Sequence, residues 1–212
     1  MIQALDTISA DVRFRISSIE PNLLTDKIIS FVAQSEKIVP HFHIPLQSGS
    51  DKILGLMKRR YSKELYASRV EKIKSLMPHA SIGCDVITGF PGETEKDFLE
   101  TYQLINSLPV SYLHVFTYSE RPGTGAISFD GIVPVRERRK RNQMLRILSE
   151  KKLQSFYRDC EGRVVKVLWE TADDNGMMSG YSENYLRMKI PYDAQLLNTI
   201  TAIKFSNGKQ RE

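Results

Sequence analysis

The chain has 212 residues, of which 41% are hydrophobic and 26% charged, a composition typical of a globular protein with a sizeable core. No apolar run approaches the roughly 18 residues of a membrane helix, and the first residues lack the charged-then-apolar order of a secretion signal, so we expect a cytoplasmic protein without a membrane partner. The net charge of +5 mildly favours a polyanionic partner.

The first part of the chain alternates short β-branched runs with amphipathic stretches. Strands are predicted at 12–19, 41–45, 81–88 and 110–118, and helices at 25–38, 51–57, 62–76 and 95–107. The predicted helix starts carry capping residues, namely Thr25 or Asp26, Ser50, and Thr94 with Asp97. Strands alternating with helices are typical of βα units around a parallel sheet, whose ligands bind at the loops that follow the strands.

A different pattern begins near Ser119 with a loop rich in Gly, Pro and Ser. A long basic helix is predicted at 135–158, and a domain boundary at 155–162. From Glu161 the apolar residues recur with period two, which predicts strands at 164–170, 185–191 and 198–205, the first two joined by a turn at 174–176.

The cysteines and histidines show no metal-binding spacing. Cys84 and Cys160 are the two cysteines, and no CxxC or CxxxCxxC occurs. A zinc or iron–sulfur site needs about four ligands, usually with close pairs, so we expect buried free thiols, with a disulfide as the alternative. His41 and His43 share one face of a predicted strand, and we assign them structural roles. No metal site is therefore predicted.

Four motifs occur in a fixed order: RISSIEP (15–21), HIPLQSGSDKILGLMKR (43–59), DVITGFPGETEKDF (85–98) and FTYSERPGTGA (116–126). The basic helix follows, and then GRVVKVLWE (162–170) and GYSENYLRMKIPYD (180–193). This ensemble resembles the tRNA methylthiotransferases of the radical S-adenosylmethionine (SAM) superfamily. The last part is similar to their small RNA-binding TRAM domain. RISSIEP and GYSENY most resemble the branch that acts on threonylcarbamoyladenosine beside the tRNA anticodon.

The resemblance implies an α/β fold with a partial, TIM-like (β/α) radical SAM barrel of about four parallel strands at 1–130. A basic connecting helix at 131–158 and a small antiparallel, OB-like TRAM β-barrel at 159–212 are expected to follow. The family's amino-terminal domain with three cluster cysteines, and the CxxxCxxC loop that opens its barrel, have no counterpart here. Four strands of a barrel would leave open edges, which predicts self-association.

The function that the resemblance implies is addition of a methylthio group to C2 of N6-threonylcarbamoyladenosine, using SAM and 4Fe–4S clusters. Because the cluster ligands are absent from this chain, we expect it to be inactive in isolation, and no catalytic residue is assigned. The alternatives are a stand-alone tRNA-binding module, a methylthiotransferase of the isopentenyladenosine branch, and an incomplete barrel that binds neither ligand.

The predicted SAM-binding residues follow the predicted strands. By resemblance, Gln47 and Ser48 face the ribose and amino-acid end, Ile87 and Gly89 cradle the adenine, and Asp85 and Tyr118 lie near them. The alternatives are a turn and cap for Gln47 and Ser48, loop contacts for Asp85, and closure of the barrel for Tyr118.

Two further groups of charged residues carry expectations. Arg15 and Ser17 are expected to face the substrate side, with Glu20 or Asp85 as the partner of Arg15, and Glu93 is expected to cap its loop or the helix that follows. Contacts to tRNA are predicted from basic and aromatic residues, with a solvated charged face as the alternative. These residues are Arg136, Arg138, Arg139, Lys140 and Arg141 of the helix, and Tyr181, Asn184, Tyr185 and Arg187 of the TRAM-like part.

Overall fold

The computed structural model describes residues 2–9, 12–172 and 176–206, without the side chains of residues 171 and 172. The helices are α1 (Ile2–Asp6), α2 (Asp26–Gln34), α3 (Asp51–Leu56), α4 (Lys63–Leu76), α5 (Glu95–Ser107) and α6 (Val135–Asp159), with a 3-10 turn at Gly125–Ser128. The strands are β1 (His41–His43), β2 (Ser81–Thr88), β3 (Tyr112–Thr117), β4 (Val164–Ala172), β5 (Met177–Ser182), β6 (Arg187–Pro191) and β7 (Ile200–Lys204). None of the described helices has the length and apolarity that a membrane crossing requires.

The first part of the chain forms a parallel sheet in the order β1-β2-β3. The predicted strand at 12–19 is wrong as a continuous strand, because its described residues make isolated bridges, Phe14 with Ile38 and Ser18 with His43. Since β1 is three residues long, it offers little edge for a full fourth strand to pair with. The α/β class is confirmed, with three parallel strands and one bridged extended segment among the described residues.

The two faces of the parallel sheet differ in burial. Along β2, Ile82, Cys84 and Val86 are fully buried on the face that the helices cover, whereas Asp85 and Ile87 are partly exposed on the other face. Successive side chains of a strand point to opposite faces, so the pattern follows directly from the sequence. We call the side that carries Asp85 and Ile87 the open face. Phe116 of β3 is 53% exposed, and self-association through such a surface stays a prediction.

Helix starts follow the predicted caps. Thr25 accepts the Ile28 N–H at 3.4 Å, and Thr94 and Asp97 form both bonds of a capping box. Ser50 stands at the cap position of α3, but it makes no capping bond and instead donates to the Asp97 carboxylate at 2.7 Å. The predicted helix at 25–38 ends earlier, at Gln34.

Helix α6 connects two hydrophobic cores. Leu145 and Leu148 lie in the core under the parallel sheet, and Ser149 bonds the backbone of Leu113 in β3. Phe156, near the end of α6, belongs to a second core built around Trp169. The predicted helix at 135–158 is thus confirmed. Besides connecting the parallel sheet to the antiparallel strands, it packs along β3.

The last part of the chain is an antiparallel sheet in the order β6-β5-β4-β7. Strand β5 was not predicted, because MMSGYS mixes small and polar residues with apolar ones. Of the turn predicted at 174–176, residues 174 and 175 lie outside the described residues. The described strands show no pairing of β6 with β7, so the closed TRAM barrel and the predicted domain limits stay predictions.

Candidate functional site

The loop after β1 and the end of β2 meet at the carboxyl rim of the parallel sheet. The Gln47 N–H donates to the carbonyl of Asp85 at 2.8 Å, and the Ile87 N–H donates to the carbonyl of Gln47 at 2.9 Å. Gln47 makes these two backbone bonds in the left-handed conformation, with a φ of 67°, and is 8% exposed. The segments at 47–48 and 87–89 therefore lie at one rim, as the strand-end argument predicts.

Ser48 points away from the open face. The residue is 1% exposed, and its hydroxyl lies 3.3 Å from that of Thr101 in α5 and accepts the Ser50 N–H at 3.2 Å. Gly49 lies so close to α5 that a Cβ there would be 2.6 Å from the Cα of Thr101. Ser48 thus holds the loop against α5, which is the turn alternative, and Gln47 is the member of the pair that lies at the rim.

Gly89 and Tyr118 lie over the side chain of Arg138. Gly89 has a φ of 77°, and a Cβ there would collide with Arg138 Cγ. The Arg138 guanidinium donates to the Tyr118 carbonyl at 3.0 Å and lies 5.3 Å from the Tyr118 ring centre. The Tyr118 hydroxyl is buried with no hydrogen-bond partner among the described residues. The Tyr118 backbone N–H bonds the Thr88 carbonyl at the end of β2, so this residue brings a hydroxyl with unused hydrogen-bonding capacity to the rim region.

Glu93 and Arg141 form an ion pair beneath the same loop, with side-chain exposures of 3% and 6%. Glu93 also accepts the Gly89 N–H at 3.1 Å, so the predicted loop-capping contact is present. Burial raises the pKa of Glu93, although the bonds from Arg141 and Gly89 oppose the rise. The pair is part of the scaffold of the rim.

The predicted tRNA-binding residues of α6 divide into two sets. Arg138 and Arg141 are buried and bonded to the protein, so the expectation that they contact tRNA is corrected by their position. Arg136, Arg139 and Lys140 are exposed and remain available to a polyanion. The basic run of α6 therefore offers three residues, rather than five, for contact with tRNA.

The open face carries a cluster that the sequence did not predict. Asp85 Oδ1 lies 2.9 Å from His43 Nε2 and 3.2 Å from His114 Nδ1. The register pairs Asp85 directly with His114, and all three side chains are on the same face. Burial raises the pKa of Asp85, but bonds with the two histidines outweigh this and hold it below its ordinary value.

Below this cluster, the antiparallel sheet closes one end of the open face. The Tyr185 ring lies 4.5 Å from the ring of His41 and 4.5 Å from the Arg15 guanidinium carbon. His41 also lies within hydrogen-bond distance of the Tyr112 hydroxyl, at 3.0 Å. Burial, helped by the charge of Arg15, lowers the pKa of His41 to about 4. A cavity of about 260 Å³ lies between Tyr185 and the histidine cluster.

Arg15 does not have the partners that the sequence suggested. Glu20 pairs with Arg59 at 2.9 Å, and Asp85 is bonded to two histidines. Arg15 is exposed and packs on Tyr185, so it carries no burial cost that a carboxylate would have to offset. Ser17 lies beside it in the wall of the cavity.

The predicted RNA-binding residues of the antiparallel sheet also divide. Asn184 is 1% exposed, and its amide donates to the carbonyl of His79, so it ties the turn between β5 and β6 to the loop before β2 and does not face solvent. Tyr181 stacks on Tyr185 at 4.7 Å. The Arg187 side chain is exposed. The expectation of an Asn184 contact to RNA is therefore corrected, while contacts from Tyr181, Tyr185 and Arg187 stay predictions.

The two cysteines are free and buried, as predicted. Cys84 lies in the first core, where burial raises the pKa of its thiol to about 12, and Cys160 lies in the second core. Because they belong to separate cores, they do not fit an iron–sulfur cluster, and the described residues provide no cysteine ligand set.

Comparisons with known proteins match one family model and a group of tRNA-modifying enzymes. Residues 1–105 match the family model described as the Radical SAM superfamily. The chain is 37% identical over 209 residues to the threonylcarbamoyladenosine tRNA methylthiotransferase MtaB of Bacillus subtilis, which covers 96% of this chain and 46% of that protein. It is 33% identical over 211 residues to the tRNA-2-methylthio-N(6)-dimethylallyladenosine synthase of Lachnoclostridium phytofermentans, covering 99% of this chain and 46% of that protein.

A solved structure shows the same fold at low identity. The coproporphyrinogen III oxidase HemN of Escherichia coli, a radical SAM enzyme, superposes with a TM-score of 0.58 at 13% identity, over 91% of this chain and 56% of that chain. The chain spans about 46% of the length of the two curated relatives named above. These likenesses establish a radical SAM type of fold and similarity to tRNA methylthiotransferases.

Proposed function

We propose that this chain is the carboxy-terminal portion of a radical SAM tRNA methylthiotransferase, which modifies C2 of an adenosine beside the anticodon. The observation that carries the proposal is the parallel bridge of Gln47 with Val86 at the carboxyl rim, made by its backbone bonds to Asp85 and Ile87. Ligands of open α/β sheets and barrels bind at this rim. The similarity to relatives whose names state this activity supports the same assignment.

The residues at the rim have the chemistry that SAM requires. The Gln47 amide suits hydroxyl or carboxylate groups, and the backbone of Ile87 and its neighbours would meet the adenine. The missing side chain of Gly89 makes room for Arg138 behind this segment. The unpaired Tyr118 hydroxyl and the partly exposed Ile87 belong to the same rim, and Asp85 lies on the neighbouring surface. We call the set Gln47, Ile87, Gly89 and Tyr118 the cradle. SAM would supply the methyl and 5′-deoxyadenosyl groups, and iron–sulfur clusters held by residues outside this chain would supply the electron that cleaves it.

Titration with SAM tests the cradle. Tyr118→Phe removes only the unpaired hydroxyl, so we expect SAM to bind several-fold more weakly by isothermal titration calorimetry. Tyr192→Phe, at a tyrosine that is 47% exposed, is the matched control and should bind like the parent chain. Equal SAM affinity in all three proteins, or no SAM binding by the parent chain, would contradict the cradle.

The exposed part of α6 is the surface that we assign to tRNA. Neutralising Arg136, Arg139 and Lys140 to alanine should weaken binding to an anticodon stem-loop. The slope of log K against log salt should become shallower by about 0.7 for each phosphate that the variant no longer neutralises. A control that neutralises the exposed Lys27, Arg60 and Lys96 changes the net charge equally and should have a smaller effect. Equal effects would mean that only overall charge matters.

The threonylcarbamoyl branch is the finer part of the proposal. Identity is 37%, 40% and 34% to the MtaB proteins of B. subtilis, Aquifex aeolicus and Thermotoga maritima, and 33–34% to five dimethylallyladenosine synthases. The proposal of this branch therefore rests on the motifs RISSIEP and GYSENY. An anticodon stem-loop that carries N6-threonylcarbamoyladenosine should therefore bind more tightly than one that carries the dimethylallyl nucleoside. The reverse order would assign the other branch. Binding of tRNA without any SAM affinity would favour a stand-alone tRNA-binding module.

A further inference from the structure

We propose that His43, Asp85 and His114 form a binding site for one divalent first-row transition-metal ion on the open face of the parallel sheet. One ligand atom from each of the three side chains lies within 4.8 Å of the other two. The residues come from three adjacent strands, one from each of β1, β2 and β3. The inference rests on this geometry and does not depend on SAM or tRNA binding.

The distances suit coordination of a common ion. Ligand atoms bound about 2.1 Å from one ion lie about 3.0–3.4 Å apart in octahedral or tetrahedral geometry. The observed separations from Asp85 Oδ1 are 2.9 Å to His43 Nε2 and 3.2 Å to His114 Nδ1. An ion can therefore enter with small side-chain movements, replacing the two hydrogen bonds with bonds to metal.

The backbone holds the ligands in place. Asp85 and His114 are register partners in the β2–β3 ladder, and His43 pairs with Gly83, two residues before Asp85 on the same face. Side chains of His43 and Asp85 are 14% and 19% exposed, so their rotamers are restricted by neighbours. His114 is 51% exposed and leaves the site open to solvent. Sites on strands hold ligand geometry better than sites on loops.

The ligand set selects the class of metal. Two imidazoles and one carboxylate suit zinc, iron, cobalt or nickel, whereas magnesium and calcium prefer sets of oxygen ligands. Three protein ligands leave positions for water or for an oxygen ligand. The histidines of the cluster line the cavity of about 260 Å³, together with Ser17 and Arg15. An anionic oxygen ligand that entered this cavity would reach both the ion and the Arg15 guanidinium.

Titration of the tag-free chain with Co²⁺ tests the site, because d–d absorption reports the number and type of ligands. We expect one Co²⁺ per chain, displaced by one Zn²⁺, and no competition from Mg²⁺. His114→Ala removes an exposed ligand without disturbing a core, and it should weaken binding at least tenfold, since loss even of an outer-shell partner costs about 10–100-fold. Asp85→Asn should do the same.

The matched control is His79→Ala, which removes a histidine that lies outside the cluster. The backbone carbonyl of His79, which bonds Asn184, is retained. This variant should bind Co²⁺ like the parent chain. Absence of Co²⁺ or Zn²⁺ binding by the parent chain, or equal loss in His79→Ala and His114→Ala, would overturn the proposal. His114→Ala also separates the two hypotheses, because it should retain SAM binding at the rim while losing the ion.

Discussion

The ring of Tyr185, between β5 and β6, packs against the ring of His41 in β1 with their centres 4.5 Å apart. Arg15 covers another part of the Tyr185 ring, also at 4.5 Å. One side chain of the antiparallel sheet thus closes an end of the open face of the parallel sheet. The contact joins the two sheets through aromatic and cationic groups outside the two hydrophobic cores.

Replacement of Tyr185 should weaken the attachment of the two sheets. Tyr185→Ala removes ring contacts with His41 and Tyr181 and a cation–π contact. Together these are worth about 1.5–4 kcal/mol of unfolding free energy. Trp169 is the single tryptophan of the chain and is buried in the second core, so its fluorescence reports on the antiparallel sheet. Its urea midpoint should fall in Tyr185→Ala and stay unchanged in Tyr192→Ala, at an exposed tyrosine. Equal midpoints in both variants would show that the contact is not stabilising.

His41 should make stability depend on pH. Its pKa is lowered to about 4 by burial and then by Arg15, from 6.5 in the unfolded chain. Between these values the unfolded state binds the extra proton, so stability is full above about pH 6.5 and falls as the pH drops towards 4, by about 2–3 kcal/mol. Urea unfolding from pH 4.5 to 7.5 measures this loss. His41→Gln should flatten the profile more than His79→Gln, and an unchanged slope in His41→Gln would contradict the assignment.

Two glycine-to-alanine changes should act in opposite directions. At Gly49 a Cβ would be 2.6 Å from the Cα of Thr101, and because this neighbour is backbone, the loop must shift away from α5. We expect Gly49→Ala to cost about 1–3 kcal/mol. At Gly55 in α3 a Cβ meets nothing within 4 Å, so Gly55→Ala should add about 0.5–1 kcal/mol through helix propensity. Chemical denaturation of both variants checks the signs, and stabilisation by Gly49→Ala would show that the loop is not held tightly.

The Glu93–Arg141 pair should be needed for folding. Arg141→Leu leaves a buried carboxylate without its partner, and breaking such a pair costs about 3–5 kcal/mol. Arg139→Leu changes an exposed arginine of the same helix and should stay within about 0.5 kcal/mol of the parent chain. The difference between the two urea midpoints is the measurement. A similarly small loss of unfolding free energy in both variants would show that the Glu93–Arg141 pair does not stabilise the fold.

Local patterns predicted most of the elements, because their causes are local. Capping residues at Thr25 and Thr94 and the alternation of β2 depend on neighbours a few positions away in sequence. The segment at 12–19 did not form its strand, since pairing depends on how much edge β1 offers. Strand β5 was missed because its packing against β4 and β6, rather than its own composition, makes it a strand.

The run from Arg136 to Arg141 shows what helix geometry adds to composition. Residues turn by about 100° each along a helix, so a run of six covers the whole circumference and cannot lie on one face. Because α6 packs on β3, part of the run must point inward, and Arg138 and Arg141 do so. The sequence alone could not say which members face solvent, since that depends on the rotation of α6 over the sheet.

By itself the sequence determined the βα order, the long basic helix and the residues that follow each strand, because hydrophobic period and turn chemistry act over short distances. Only the tertiary structure decided that Asp85 lies between His43 and His114, and that Tyr185 rests on His41. These proximities join residues up to 144 positions apart, from His41 to Tyr185. They depend on strand register and on the docking of two sheets, which no short window of sequence specifies.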